Sequence, residues 1–319
     1  MIIQKPITLL MPVKNGEKYL NQIKHSLFQN CGKDDEILIV NDNSTDKTSE
    51  IIRSWQSDGN KNLRVIENHS GNGLVSSLNL GVRESSNQWI ARFDVDDSYS
   101  SSRINIAREY LTDNTVAIFS DYDFISENNR YLGRIPSAIF SDHTYLSLVS
   151  SQRTAHPSVI YRKDAVLEVG GYSSNFFPAE DIALWLELSK VGNLSSIPQS
   201  LLQYKIQRKS VSSTKRQLAL SLKNKAVQSH NFRLNTILFL LDNLEKTKID
   251  YQKFTHSQER YILHLRDLHL LITLNGVEGS KSMYKFVLRK LLFEVDNYLS
   301  FIQIAGRAFQ RKVYRSLIS

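Results

Sequence analysis

Three carboxylates crowd into four positions of the sequence. Asp94, Asp96 and Asp97 belong to the stretch Arg92–Asp97, which follows directly on the apolar run Trp89–Ala91. Carboxylates this close repel one another unless a positive group lies among them or the loop is fully solvated. Because alternate residues of an extended segment point the same way, Asp94 and Asp96 can converge on one hard divalent cation, which prefers oxygen ligands. The spacing predicts a metal site with open positions for phosphate oxygens, and the alternative for such a short motif is a solvated turn.

A fourth carboxylate, Asp42, lies between the apolar segment Glu36–Val40 and the polar segment Ser44–Asp46. Residues of the polar segment can cap the helix that follows, which explains them structurally. Asp42 lies before the cap, so we expect it to accept hydrogen bonds from a base edge or a ribose. Neither GxxxxGK[ST] nor a GxGxxG after the first strand occurs, so a metal would have to hold a diphosphate here.

The elements that must position these residues follow a regular order. Through the first 120 residues, apolar segments of strand length alternate with amphipathic segments of helical length, which predicts an α/β fold with a mainly parallel sheet covered by helices. In such sheets ligands bind beyond the carboxyl ends of the strands. The predicted strands are Ile7–Met11, Glu36–Val40, Leu63–Ile66, Trp89–Phe93 and Val116–Phe119, and the predicted helices lie near Tyr19–Gln29, Asp46–Gln56, Leu74–Val82 and Ile104–Leu111.

The pattern changes beyond residue 120. A hairpin is predicted from Tyr122–Ile125 and Tyr131–Ile135, and a helix from Asp181–Val191 that stops before Gly192. From about Thr214 the chain contains few glycines and no proline, and it has the pattern of successive helices. We therefore predict two domains, an α/β domain over residues 1–212 and a helical region over residues 213–319.

Composition sets further limits. The chain has 319 residues, 41% of them hydrophobic, which suits a globular core. No apolar run approaches the roughly 18 residues that cross a bilayer, and we expect the N-terminal residues to form a first strand rather than a signal peptide. The single cysteine, Cys31, excludes an internal disulfide and a cysteine-based metal site, which favours a cytoplasmic, reducing location.

The net charge of +8 belongs to the end of the chain. Residues 1–212 carry 22 lysines and arginines against 24 acidic residues, whereas residues 213–319 carry 18 against 8. Arg307, Arg311 and Arg315 recur every four residues, and a helix with this face can lie on an anionic membrane surface. The alternative is a solvated charged face over a packed bundle. No nucleic-acid recognition motif occurs, so we predict no nucleic-acid partner.

Several motifs together resemble the family 2 glycosyltransferases of the GT-A fold. The resemblance covers about the first 212 residues, some two thirds of the chain. It implies a nucleotide-sugar donor, usually UDP-linked, a Mn²⁺ or Mg²⁺ ion, and transfer with inversion at the anomeric carbon. The motifs, in order, are MPVKNGEKYL, EILIVNDNSTDKT, GNGLVSSLNLGV, IARFDVDDSYSSSRI, HPSVIYRKDAVLEVGGY and AEDIALWLEL.

The resemblance also implies roles for individual residues. Asp181 matches the general base, Asp42 the carboxylate that contacts uracil, and Asp94 with Asp96 the acidic motif that engages ribose and metal-bound diphosphate. Such a displacement needs the acceptor hydroxyl deprotonated on one side of the sugar while a metal neutralises charge on the departing diphosphate. The implied donor-binding residues are Pro12, Val13, Asn15, Asp42, Asp94 and Val95, and the implied metal ligands are Asp94 and Asp96.

Three residues are candidates for the acceptor side. Trp185 lies one helical turn after Asp181 and can stack on an acceptor sugar, although a tryptophan at this spacing also suits a core position. Glu180 can assist Asp181 or simply be a first-turn carboxylate favoured by the helix dipole. His156, ahead of Pro157, can line the acceptor side or be structural.

Two positions depart from the family pattern. Lys14 stands where an aromatic residue is common, and lysine cannot stack on a base but can reach a phosphate or ribose. Lys205 and Gln207 stand where arginine and histidine are common. The amide of Gln207 weakens the expectation of a third metal ligand.

We therefore expect a metal-dependent, inverting glycosyltransferase that acts on a lipid-linked or oligosaccharide acceptor in bacterial surface polysaccharide biosynthesis, such as O-antigen, capsule or lipopolysaccharide. It would be cytoplasmic or peripheral at the inner face of the plasma membrane. A glycoside hydrolase that uses Asp96 and Asp181 is one alternative. A nucleotide-sugar-binding scaffold that has lost catalysis is another.

Overall fold

A computed structural model describes residues 5–69, 73–137, 154–206 and 215–229. Within these ranges the predicted alternation of strands and helices is confirmed. The strands are β1 Ile7–Val13, β2 Glu36–Asn41, β3 Leu63–Glu67, β4 Trp89–Arg92, β5 Ser98–Tyr99, β6 Thr115–Ile125, β7 Tyr131–Ile135, β8 Ile160–Arg162 and β9 Asn193–Lys205. The helices are α1 Glu17–Asn30, α2 Thr48–Ser57, α3 Leu74–Glu84, α4 Arg103–Glu109, α5 Lys163–Glu168, α6 Glu180–Leu188 and α7 Arg216–Ser229, with short 3-10 turns at His156–Ser158 and Ser174–Phe176.

One mixed sheet contains all nine of these strands. Its order is β3-β2-β1-β4-β8-β6-β9-β5, and β7 pairs with the end of β6, beyond the residues that pair with β8. Strands β3, β2, β1 and β4 are mutually parallel, as are β6 and β9. Strand β8 runs antiparallel to both of its neighbours and joins these two parallel parts. The predicted mainly parallel α/β fold is therefore correct, with a second half that is mixed.

Helices cover the sheet because β1 and β2 are apolar on both faces. Alternate residues of β1 point to opposite faces, so Leu9 packs in the cluster that contains Leu20 and Ile23 of α1. Leu10 points the other way and packs against α3. A Cβ at Gly81 of α3 would lie 2.3 Å from a methyl carbon of Leu10, so this close approach of helix and strand requires glycine.

The register of the parallel strands brings their carboxyl ends to one edge. Val13 of β1 pairs with Asn41 of β2, and the N–H of Phe93, just past β4, donates to the carbonyl of Leu10. The polar segments that follow β1, β2 and β4 therefore emerge side by side. This is the edge at which open α/β sheets bind ligands.

Two sequence predictions need adjustment, and those for the tail stay open. The segments predicted as separate strands near residues 116–119 and 122–125 form the single strand β6, which pairs with β7 as the predicted hairpin. Helix α6 ends at Leu188, three residues before the predicted end. Helix α7 packs against α6, but most of the tail, including Arg307, Arg311 and Arg315, lies outside the described residues. The boundary after residue 212 and the membrane-facing helix stay predictions.

In the part of the chain that the structure describes, every helix is too short or too polar to cross a bilayer.

A buried ion pair fastens the amino-end edge of the sheet. Asp35 is completely buried, and its carboxylate lies 2.5 Å from the guanidinium of Arg108 on α4. The same carboxylate accepts the N–H groups of Ile7 and Gly32. Strand β1 and helix α4 are therefore tied to the loop before β2 through one side chain.

We predict that Asp35→Ala lowers the free energy of unfolding by about 3–5 kcal/mol, because it leaves the Arg108 charge buried without its partner. Chemical denaturation measures the change. The matched control is Asp58→Ala, which breaks the exposed Lys24–Asp58 pair at 3.0 Å and should cost less than about 1 kcal/mol. Equal losses in the two variants would contradict the anchoring role of Asp35.

Candidate active site

The acidic loop after β4 brings its three carboxylates together. One carboxylate oxygen from each of Asp94, Asp96 and Asp97 lies within 4.8 Å of the other two. Asp97 is buried, whereas Asp94 and Asp96 are half-buried. Three hard oxygen donors at this separation suit Mg²⁺ or Mn²⁺. The residues present therefore fit the divalent ion that the sequence predicts.

Arg92, the last residue of β4, supplies the positive charge that the crowded carboxylates need. Its Nε lies 2.7 Å from one oxygen of Asp94, and its Nη2 lies 3.1 Å from the other. Burial opposes the charge of Arg92, but Asp94 raises the pKa of its guanidinium above the ordinary value. This two-point contact gives Asp94 a positive partner and fixes the plane of its carboxylate.

A second buried arginine, Arg103, lies beneath the same loop. Its Nη1 donates to the carbonyl of Arg92 at 2.7 Å and its Nη2 to that of Val159 at 3.2 Å. The guanidinium also lies 4.6 Å from the ring centre of Phe93 and 4.7 Å from that of Tyr99, within the range of cation–π contacts. Burial lowers the pKa of Arg103 to about 10, so it remains charged at neutral pH.

Asp97 fastens the loop rather than facing solvent. Its Oδ1 accepts the backbone N–H of Lys205 at 2.9 Å, which holds the end of β9 beside the acidic loop. Burial, followed by the charges of Asp94 and Asp96, raises the pKa of Asp97 well above its ordinary value. Asp97 is therefore a structural member of the cluster, and Gln207, just beyond β9, lies outside the described residues.

Asp42 lies at the carboxyl end of β2 and is buried. Its Oδ1 accepts the side-chain N–H of Asn68 at 2.9 Å, and its Oδ2 lies 3.2 Å from Nζ of Lys14. Lys14 was expected to reach a phosphate or ribose, but in the structure its ammonium group pairs with Asp42. The reason is register, because both residues come directly after paired positions of β1 and β2.

The other residues predicted to bind the donor lie in β1 or directly after β1 and β4. Pro12 and Val13 are buried at the end of β1, and Val95 lies close to Gly16, where an added Cβ would come within 3.3 Å of it. Asn15 adopts a left-handed conformation with φ of 51°. Its Oδ1 accepts the backbone N–H of Thr45 at 2.8 Å, which ties the loop after β1 to the loop after β2.

The predicted base, Asp181, stands in the first turn of α6, where the helix dipole favours a carboxylate. Its neighbour Glu180 is buried, and burial, reinforced by the charge of Asp181, raises the pKa of Glu180 to about 7. The Nδ1 of His156 lies 3.8 Å from Glu180. Burial and Arg92 lower the pKa of His156 well below its ordinary value, so this contact is not an ion pair at neutral pH.

The acceptor-stacking role considered for Trp185 is wrong. Its side chain is 0% exposed, and it packs against the rings of Phe119, His156 and Tyr172. No face of the indole is open to a sugar, and the core alternative holds. The His156 side chain is 10% exposed, and its Nε2 shares a hydrogen bond of 3.0 Å with the hydroxyl of Tyr172. His156 therefore packs beside the start of α6, and its acceptor-side role stays a prediction.

The acidic loop and the start of α6 lie close enough for their charges to interact. The charge of Arg92 acts on both Asp94 and Glu180, and the charge of Asp94 contributes to the raised pKa of Glu180. Sequence reasoning missed the roles of Arg92, Arg103 and Asn68. Arg92 was detectable, because it lies two residues before the first of the carboxylates that require a positive partner.

Comparison with known proteins agrees with this geometry. The family described as Glycosyl transferase family 2 matches residues 8–170. A glycosyltransferase of Rickettsia bellii, named as uncharacterized, is 28% identical over 203 residues, which is 63% of this chain but only 29% of that relative. An Escherichia coli relative named UDP-Gal:alpha-D-GlcNAc-diphosphoundecaprenol beta-1,3-galactosyltransferase is 24% identical over 242 residues, covering 73% of this chain and 85% of the relative.

Solved structures show the same fold. The crystal structure of residues 1–349 of S. aureus TarS in complex with UDP-GlcNAc aligns with a TM-score of 0.57 at 16% identity. The alignment covers 92% of this chain and 89% of that one. The GT-A architecture expected from the sequence is therefore confirmed.

We predict that Glu180→Gln shifts stability in a pH-dependent way. The folded-state pKa of Glu180, about 7, lies above its ordinary 4.5, so its contribution is fully present below about pH 4.5 and is lost as pH rises through 7. Glutamine does not titrate, so the variant should gain about 1–3 kcal/mol on the wild type between pH 5 and pH 8.

Thermal denaturation at both pH values measures this difference. Glu187→Gln, on the same helix but paired at its surface with Lys190, is the matched control and should show little change. A Glu180→Gln difference that is constant with pH would contradict the raised pKa.

We also predict that Arg103→Met destabilises the fold by about 2–4 kcal/mol, because it removes two buried hydrogen bonds to carbonyls and a positive charge beneath the acidic loop. The exposed Arg53→Met is the control. Adding Asp96→Asn to Arg103→Met should restore part of the loss by reducing repulsion. If Asp96→Asn restores none of the lost stability, Arg103 acts through packing alone and not through its charge.

Proposed function

The chain belongs to glycosyl transferase family 2, and from that premise we propose that it is an inverting transferase using a UDP-sugar. The sugar would pass to a hydroxyl of a lipid-linked or oligosaccharide acceptor in the assembly of a bacterial surface polysaccharide. A divalent ion, Mn²⁺ or Mg²⁺, would be its cofactor.

One observation carries the proposal. Buried Asp42 and the acidic loop at Asp94–Asp97 follow the carboxyl ends of β2 and β4, and the charges of Arg92 and Asp94 act on Glu180, which precedes Asp181 at the start of α6. These groups match the three needs of the reaction, namely a nucleoside contact, a site for a metal-bound diphosphate and a base. A glycoside hydrolase has no use for the first two.

Each group takes a role that its surroundings suit. Asp94 and Asp96 would hold the ion, which supplies charge to neutralise the departing diphosphate. Arg92 pairs with Asp94 and holds its carboxylate in a fixed orientation for this purpose. Asp181 would take the proton of the acceptor hydroxyl, and the pKa of buried Glu180 beside it is raised to about 7.

The acceptor class is supported by the named relatives. The Escherichia coli relative is named for a diphosphoundecaprenol-linked acceptor, and residues 213–319 of this chain carry 18 basic against 8 acidic residues. A lipid-linked acceptor requires access to a membrane surface, which a basic segment provides through anionic lipids. We therefore propose a peripheral site of action at the cytoplasmic face of the membrane.

The test is release of UDP from a panel of UDP-sugars with Mn²⁺ and a polyprenyl-diphosphate-linked sugar. The wild type should release UDP and extend the acceptor only with metal. Asp181→Asn should lower turnover by about 10²–10⁴-fold while binding UDP as the wild type does. Asp96→Asn should lose metal-dependent UDP binding, and Asp58→Asn, an exposed carboxylate at the end of α2, is the control.

The outcomes separate the alternatives. Cleavage of a glycoside without any nucleotide would favour a hydrolase. UDP binding with metal but no transfer from any donor would favour a scaffold. Full activity in Asp181→Asn would contradict the assignment of the base.

A further inference from the structure

The pairing of Lys14 with Asp42 is built into the sheet. Strands β1 and β2 are parallel, with Val13 opposite Asn41, so Lys14 and Asp42 are the first residues beyond the paired positions of each strand. The backbone N–H of Asp42 also donates to the carbonyl of Val13 at 2.8 Å. The hydrogen-bonded ends of β1 and β2 thus hold Lys14 and Asp42 next to each other, and Nζ of Lys14 lies 3.2 Å from Oδ2 of Asp42.

The two partners differ in exposure. The Asp42 side chain is 5% exposed and is held from the other side by Asn68, whereas the Lys14 side chain is 52% exposed. An ammonium group has three N–H donors, of which the salt bridge uses one. Lys14 can therefore keep its contact with Asp42 and donate to a ligand at the same time.

The carboxylate of Asp42 is a hydrogen-bond acceptor beside the ammonium donor of Lys14. One edge of uracil offers the complementary donor and acceptor. Uracil carries an N3–H donor flanked by carbonyl acceptors. At the same positions cytosine carries an unprotonated N3 and an exocyclic amine, so both hydrogen-bonding roles are reversed. If the ribose holds the base in one position, uracil can form hydrogen bonds with both Asp42 and Lys14. Cytosine in that position would place an acceptor opposite Asp42 and a donor opposite Lys14, which is unfavourable.

We propose that Lys14 is a specificity-determining residue for the donor nucleotide. Asp42 accepts the N3–H of uracil, and Lys14 donates to the carbonyl oxygen at C4. The inference rests on the proposed function, in which Asp42 contacts the base of a UDP-sugar. It assigns to Lys14 a base contact rather than the phosphate or ribose contact expected from its charge.

Two other roles for Lys14 make different predictions. A contact with the diphosphate would strengthen the binding of every nucleoside diphosphate equally. A salt bridge that only closes the pocket would have to be broken before any nucleotide enters, so removing the lysine would strengthen binding or leave it unchanged. Only a base contact changes the ratio of the affinities for UDP and CDP.

The experiment is isothermal titration of the full chain with UDP and with CDP, each in the presence of Mn²⁺. The wild type should prefer UDP. Lys14→Met, which keeps the length of the side chain without its charge, should lower the affinity for UDP about tenfold and change that for CDP less than about twofold. Lys14→Arg should keep the preference for UDP. Lys24→Met removes a lysine from another salt bridge, to Asp58 at 3.0 Å, and is the matched control.

The results distinguish this inference from the proposed function. If wild type binds UDP but Lys14→Met weakens UDP and CDP equally, or weakens neither, the base contact is wrong and the proposed function stands. If wild type binds neither nucleotide with Mn²⁺, both are overturned. A fall in the ratio of UDP to CDP affinity that Lys24→Met does not reproduce supports the assignment.

Discussion

The site depends on how three carboxylates within four residues are kept together. Arg92 grips Asp94 with two hydrogen bonds, and Arg103 lies charged and buried under the same loop. These two cations offset much of the repulsion before any ion binds, and Asp97 is drawn into the interior by its bond to the backbone of β9. What remains for a divalent ion is a partly neutralised, preformed set of oxygens. Preformed sites of this kind lose little entropy when they bind.

Arg92 links the acidic loop electrostatically to the start of α6. Arg92 ends β4, so its position is fixed by the sheet, and its charge acts on Asp94 to one side and on Glu180 to the other. A group on a rigid strand can hold acid and base positions more closely than a group on a loop. The packed rings of His156, Tyr172 and Trp185 lie next to Glu180 and help to fix the start of α6.

The sequence predicted the parallel half of the fold, because each strand there is an apolar run followed by a helical pattern. It also located Asp42, Asp94, Asp96 and Asp181 in their elements, although their assigned roles stay proposals. The sequence could not show whether Trp185 is a core residue or stacks on an acceptor sugar, because both roles fit the same helical spacing. It missed the pairing of Lys14, because that contact arises from strand register, which joins residues 28 positions apart. Most of its predictions for the basic tail concern residues that the structure does not describe, α7 being the exception.

The most direct test of the account is anomalous scattering from crystals grown with Mn²⁺ and UDP. The account predicts one manganese peak beside the carboxylate of Asp96, bridging to the diphosphate, with Arg92 still bound to Asp94. A diphosphate held away from the acidic loop with no manganese near Asp94–Asp97 would contradict it.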